Sequence, residues 1–334
     1  MKNRILAALG VLVSVALLAW VLKDVSLTDL WHQARSASLG LITASALTSA
    51  VMFALRVIRW RLILQDDRGN PIARGPLWHS ITIGFLANNV LPFRAGELIR
   101  GLCINRLAPV QLSAALSSVV VERLFDGVAI VALLFVGLFT AGLPVSAEVA
   151  GIRVTTLATQ MSLIMGIVLV GCAAMLAWPG LAHRLIRTMI PNRKLAYRAE
   201  ALFAGIRAGL ASLASPVRIA AVMFWSIVMW TINGVSFYLG YLAFGIPVGL
   251  GGALLQQSVL AVGIAAPSSP GYVGVFEGAI KAVLALFGVE SSKAVAFALT
   301  YHIATFIPLA ILGGWSLFRT GMSLKAPREA VHDG

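Results

Sequence analysis

Four short polar stretches interrupt an otherwise apolar chain. The first runs Asn88-Asn89-Val90-Leu91-Pro92-Phe93-Arg94-Ala95-Gly96-Glu97-Leu98-Ile99-Arg100, which joins a helix-breaking Pro and Gly to one carboxylate and two guanidiniums. The second is Glu122-Arg123-Leu124-Phe125-Asp126-Gly127. The third holds Pro267, Pro270, Gly271 and Gly274, then Glu277 and Lys281, and the fourth is Tyr301-His302. Guanidiniums bind phosphate bidentately, so Arg94, Arg100 and Arg123 are candidate ligands for an anionic group. Glu97, Glu122 and Glu277 either hold those arginines while the site is empty or take up a proton. Histidine is the residue type that titrates near neutrality, so His302 could share that task. Glu277 and Lys281 lie one helical turn apart and could pair. The plainer alternative is that these charges, with Asp126, close internal networks that lock the chain in place. Asn88 and Asn89 read as turn residues at the break.

Little here points to an enzyme. There is no metal-ligand cluster, no Gly-rich nucleotide loop and no Ser-His-Asp order in a suitable context, so no metal, cofactor or self-contained reaction is expected. Glu97 and Glu277 could serve as acid and base, but nothing selects a reaction for them. Cys103 and Cys172 give neither a disulfide framework nor a metal pattern.

The elements that position these groups follow from composition. Of 334 residues, 59% are hydrophobic and 12% charged, and the mean hydropathy is +0.90. That predicts an all-α polytopic membrane protein. A net charge of +13 would suggest nucleic acid in a soluble protein, but here it fits Lys- and Arg-rich cytoplasmic loops. About six full spans are expected, near 5–22, 39–58, 112–141, 155–178, 219–244 and 293–318. The first has no small-x-small cleavage site and reads as a retained span. The segment 23–38 reads as a loop. Arg56, Arg59 and Arg61 close the second span and, with Arg68 and Arg74, mark a cytoplasmic loop. The segment 179–216 is the most basic loop, with one amphipathic helix expected over 194–213; its charge reflects topology or contact with lipid headgroups. Trp225, Trp230 and Trp315 read as interface anchors or packing residues.

Two regions are too short and broken to span. Residues 77–105 and 249–287 each read as a re-entrant hairpin, two half-helices around a Pro/Gly break. They lie in a first half, 39–141, and a second half, 217–318. Each break is followed by a glutamate, and 25 residues separate Glu97 from Glu122 and Glu277 from His302. Loop charges put the hairpins on opposite sides, which makes the repeat inverted, a common build of secondary transporters.

Together these stretches, with Pro267-x-x-Pro270-Gly271-x-x-Gly274-x-x-Glu277 and Tyr301-His302-x-x-Thr305-x-x-Pro308, resemble the membrane-domain family of lysylphosphatidylglycerol synthetase/flippases. That is the integral-membrane half of the multiple-peptide-resistance-factor proteins. The resemblance covers about residues 5 to 318. It implies a lipid flippase fold with two re-entrant hairpins and a cavity open to a leaflet. The synthetases carry a large soluble aminoacyl-transfer domain after the membrane part, whereas this chain ends at Gly334. It is therefore expected to resemble stand-alone members associated with hopanoid or cell-envelope lipids. The expectation is a transporter of an anionic or polyprenyl-type lipid in the bacterial inner membrane, with both termini cytoplasmic. Membrane lipids are the expected partners, with coupling to protons and a lipid-modifying enzyme such as a glycosyltransferase as further candidates; nucleic acid is not expected.

Overall fold

The computed structural model describes residues 18–19, 21–23, 25–91, 94–144, 146–149, 151–212, 215–264 and 270–322. The first half comprises α1 (Leu27–Ser36), α2 (Leu39–Ile63), α3 (Arg74–Val90), α4 (Gly96–Leu107) and α5 (Leu112–Thr140). A two-residue antiparallel ladder, β1 (Glu148–Val149) with β2 (Ile152–Arg153), leads to α6 (Val154–Ala177), α7 (Pro179–Met189) and α8 (Arg193–Ser212). The second half comprises α9 (Pro216–Ala243), α10 (Leu250–Gly263), a 3-10 turn at Pro270–Tyr272, α11 (Val275–Ala285) and α12 (Ser291–Thr320).

Four helical segments among the described residues are long and apolar enough to cross a membrane: α2, Val154–Gly171 within α6, α9 and α12. Sequence had suggested about six. Most of the first expected span lies outside the described residues. The other, α5, has 29 residues, but Glu122, Arg123 and Asp126 in its first half break the apolar run. Two expected loops are helical. Ser26 caps α1 by accepting the Asp29 N–H (3.4 Å), so 27–36 folds as a helix. The basic segment 179–216 forms two helices, and α8 packs along α5.

The two halves repeat one succession: a long helix, two short ones, a long helix. Their lengths are 25, 17, 12 and 29 residues for α2 to α5, and 28, 14, 11 and 30 for α9 to α12. Helices α2 and α9 cross antiparallel: Ser45 Oγ donates to the Ser236 carbonyl (2.7 Å), Ser236 Oγ donates back to the Ser45 carbonyl (2.8 Å), and Arg59 reaches Ser226. Contacts between the halves also correspond. Helix α3 lies antiparallel on α12, where Thr82 Oγ1 donates to Ser316 Oγ (2.8 Å). Helix α10 lies antiparallel on α5, with Ser258 meeting Ile130 and Gly251 meeting Thr140. Lipid tails give little hydrophobic drive between helices, so close approach of small residues does this work. At Gly137 a Cβ would crowd the backbone of Gly251 and Leu255.

The breaks face one another. The turn at Pro270–Tyr272 contacts α3, and Gly271 stands against the Asn89 carbonyl. Each break holds a non-glycine residue in the left-handed region, Arg94 at φ 53° and Tyr272 at φ 58°. Such a conformation persists only where its surroundings over-determine it, often at functional sites. Gly271 and Gly274 also have positive φ. Pro92 and Pro267 lie outside the described residues. Asn88 and Asn89 lie in the last turn of α3 rather than in the turn itself. Asn88 Oδ1 accepts the Gly96 N–H (2.9 Å) and so ties α3 to the start of α4, while Asn89 donates to the Phe85 carbonyl (3.0 Å).

Candidate functional site

The densest chemistry is a buried charge cluster built by α2, α4 and α5. Glu122 lies fully buried at its centre. Arg100 donates to both its oxygens, at 2.9 and 2.7 Å, and stacks over the Trp60 ring at 3.7 Å. Arg56 Nη1 donates to Glu122 Oε1 (3.1 Å), and Arg59 Nη2 stands 3.2 Å from the same oxygen. Arg59 also donates to Asp126 and to Ser226 Oγ (2.8 Å). The Trp230 indole N–H donates to Asp126 Oδ1 (2.9 Å). At the rim, Arg123 meets Glu122, Asp126 and Glu97; its side chain is 31% exposed and that of Glu97 30%. Buried charges are tolerable only when paired and hydrogen-bonded. Here Arg56, Arg59, Arg100 and Arg123 face Glu97, Glu122 and Asp126, which leaves one positive charge in excess.

Two residues in this cluster had been misread. Position alone suggests that Arg56 and Arg59 are cytoplasmic flanking charges, yet they are 3% and 0% exposed. Their spacing was the available signal: one helical turn apart, they share a face of α2, and α5 supplies carboxylates one turn apart to meet them. Trp230 is a hydrogen-bond donor to a carboxylate as well as a packing residue. Arg100, expected to bind a phosphate, is 2% exposed and gives both of its Nη groups to Glu122. Arg94 differs. It is half-buried and makes no ion pair with the described residues.

The second half builds a smaller dyad. Glu277 Oε1 lies 2.7 Å from His302 Nδ1, and Oε2 accepts the Gly274 N–H (2.6 Å) at the start of α11. Gly274 has no side chain to return that bond, so Glu277 alone caps this end. Where Nδ1 carries the ring proton it donates to Glu277, and Nε2 is then an acceptor. Phe276 stacks on His302 at 4.1 Å. The expected Glu277–Lys281 pair gives way to tertiary geometry: Glu277 takes His302, and Lys281 Nζ donates to the Val21 carbonyl (2.9 Å). Tyr301 stands 2.9 Å from Ser236 Oγ and links α12 to α9.

A cavity of about 210 Å³ lies between the halves. Its polar lining includes Arg56, Asn89, Trp230, Asn233, Tyr272 and His302, among Phe53, Phe85, Phe237 and Phe276. Thus one guanidinium of the cluster and the imidazole of the dyad open onto the same space. A second depression, about 500 Å³, lies on the same pair of helices, α2 and α12. It is apolar, with Ala46, Leu47 and Ala50 facing Ala304, Ile307 and Pro308. Pro308 inside α12 has no N–H, which releases one turn of that helix from its backbone bonding.

The family described as the lysylphosphatidylglycerol synthase TM region matches residues 7–313. The chain belongs to that family. Similarity to curated proteins agrees with membership. A UPF0104 membrane protein of Methanothermobacter thermautotrophicus is 26% identical over 94% of this chain and 92% of its own length. A second UPF0104 membrane protein, from Methanocaldococcus jannaschii, is 21% identical over 72% of this chain and 97% of its own. Glycosyltransferase AglD of Haloferax volcanii is 26% identical over 98% of this chain but only 56% of its own length. Family membership and the apolar helices together make this a multi-pass membrane protein.

Proposed function

We propose that this protein carries a lipid with an anionic or polyprenyl-type headgroup between the leaflets of the bacterial inner membrane. The observation that carries the reading is the cavity between the halves, where Arg56 and His302 face one space. A charge at the bilayer centre costs about 3 kcal/mol or more unless it is paired, so a cationic cavity gives an anionic headgroup a partner on the way through. Arg56 offers that partner, as one of four arginines set against three carboxylates in its cluster. The apolar depression on α2 and α12 is a route for the acyl chains outside the cavity. On this reading α3–α4 and α10–α11 are opposed re-entrant hairpins whose breaks meet beside the cavity, and both chain termini are cytoplasmic. Arg94, left-handed and without an ion pair among the described residues, contacts the headgroup at the first break. His302 and Glu277 hold a proton whose uptake balances the anion, so transport is coupled to the proton gradient. No covalent reaction is assigned to the protein.

The test is transport of fluorescent and native lipids in vesicles containing the purified protein. The expected result is movement above protein-free vesicles, cut at least tenfold by Arg56→Gln. No movement over a broad panel of anionic and polyprenyl lipids would remove the reading.

The match to Glycosyltransferase AglD favours a second reading, in which the chain is the non-transporting membrane partner of a lipid-modifying enzyme. It predicts co-purification with such an enzyme, and loss of that enzyme's turnover without this chain.

A further inference from the structure

Away from the cavity, two depressions on the outer face run into one another. The first, about 260 Å³, lies over Val57, Ile58 and Leu62 and is ringed by Arg61, Arg74 and Arg218. The second, about 390 Å³, shares Val57, Ile58 and Arg74 and continues over Ala54 and Trp78. Neither shares a lining residue with the central cavity.

We infer that this groove holds one anionic phospholipid as a resident lipid. Its phosphate sits on Arg61, Arg74 and Arg218, and an acyl chain runs over Ile58, Ala54 and Trp78. The guanidiniums of Arg61 and Arg74 on one concave surface repel one another, and an anion between them offsets that repulsion. The local carboxylates serve other groups. Asp66 accepts the Asn70 and Arg68 N–H groups (2.7 and 3.0 Å), which hold its carboxyl below the usual range, Asn70 contributing most. Asp67 accepts the Gln111 N–H (3.1 Å). Among the described residues Arg61 and Arg74 form no ion pair; Arg61 Nε donates to the Ile72 carbonyl (3.0 Å).

The arginines are also placed for one ligand. Gln65, with its amide turned to satisfy both groups, faces the two Nη atoms of Arg218 at 3.2 and 3.3 Å and holds that guanidinium at the rim. Arg74 opens α3 and Arg218 lies in the first turn of α9, so the positive ends of two helices add to the charge instead of offsetting it. The floor is apolar and Trp78 is half-buried at its edge, as at a membrane interface. Charge above and hydrocarbon below match a phospholipid better than a soluble anion. The site joins the end of α2 to the starts of α3 and α9, so its lipid ties the two halves together.

Thermal unfolding in nanodiscs tests this, using phosphatidylcholine alone and phosphatidylcholine with phosphatidylglycerol. Wild type is expected to gain several degrees with phosphatidylglycerol, and Arg61→Gln/Arg74→Gln to lose most of that gain. Arg153→Gln, an exposed change elsewhere, keeps it. Ala54→Trp fills the groove without touching the charge and is also expected to lose it. Native mass spectrometry should show one phosphatidylglycerol fewer on both groove variants. An equal gain in wild type and the double variant would overturn the inference. So would a gain produced equally by free phosphate, or no gain in wild type.

Discussion

Both halves place an ionisable group 25 residues beyond the glutamate at the break, and the two positions have opposite surroundings. In the first half that group is Glu122, 0% exposed and enclosed by Arg56, Arg59 and Arg100. In the second it is His302, whose side chain is 17% exposed, has Glu277 as its partner and borders the cavity. The difference separates a carboxylate enclosed by guanidiniums from an imidazole that borders a cavity. A carboxylate held by several guanidiniums does not change charge without breaking the packing of three helices. An imidazole with one partner and an open side can exchange a proton at little structural cost. The breaks differ in the same sense. Gly96 packs so closely on α3 that a Cβ would meet the backbone of Gly84 and Asn88, whereas at Gly263 a Cβ would make ordinary contact with Val275.

The comparison breaks most visibly at the carboxylates. Glu122→Gln leaves buried guanidiniums unpaired and should cost about 3–5 kcal/mol. Glu277→Gln keeps a hydrogen bond to His302 and should cost only about 1 kcal/mol. Denaturant unfolding in detergent measures both, and equal losses would dissolve the distinction. Next come the glycines. Gly96→Ala should destabilise by about 2–3 kcal/mol through overpacking. Gly263→Ala should be neutral or gain about 0.5 kcal/mol from helix propensity. Arg100→Lys keeps the charge but loses the bidentate grip and the stacking on Trp60, for about 2 kcal/mol, read as a lower melting temperature. The smallest stability effect is expected at the dyad. His302→Gln should change stability by less than about 1 kcal/mol, yet slow lipid transport in vesicles. Transport at the wild-type rate would take His302 out of the cycle.

Much of this was legible before folding. Runs of apolar residues predicted a polytopic helical protein, and Pro and Gly beside charge located both breaks. Misreadings came where local rules compete with distant partners. Arg56 and Arg59 sit where positive-inside bias expects exposed charge, and only the arrival of α5 and α9 encloses them. Lys281 sits one turn from Glu277, but His302 reaches the carboxylate from another helix and Val21 supplies Lys281 with a carbonyl. Helix α1 was missed because ten residues of mixed polarity carry a weak periodic signal, and its Ser26 cap is a local feature.

By itself, then, the sequence determined the solvent and the breaks. Hydropathy is a property of segments, and proline and glycine act within a turn of their own positions. Tertiary structure alone decided which charges lock and which face a cavity. Burial and pairing depend on which helices converge on a side chain, and the groups that surround Glu122 come from as far along the chain as Arg56 and Arg100. Arg56 shows the limit most plainly. It pairs with Glu122 and also lines the cavity beside His302, and neither residue is near it in sequence.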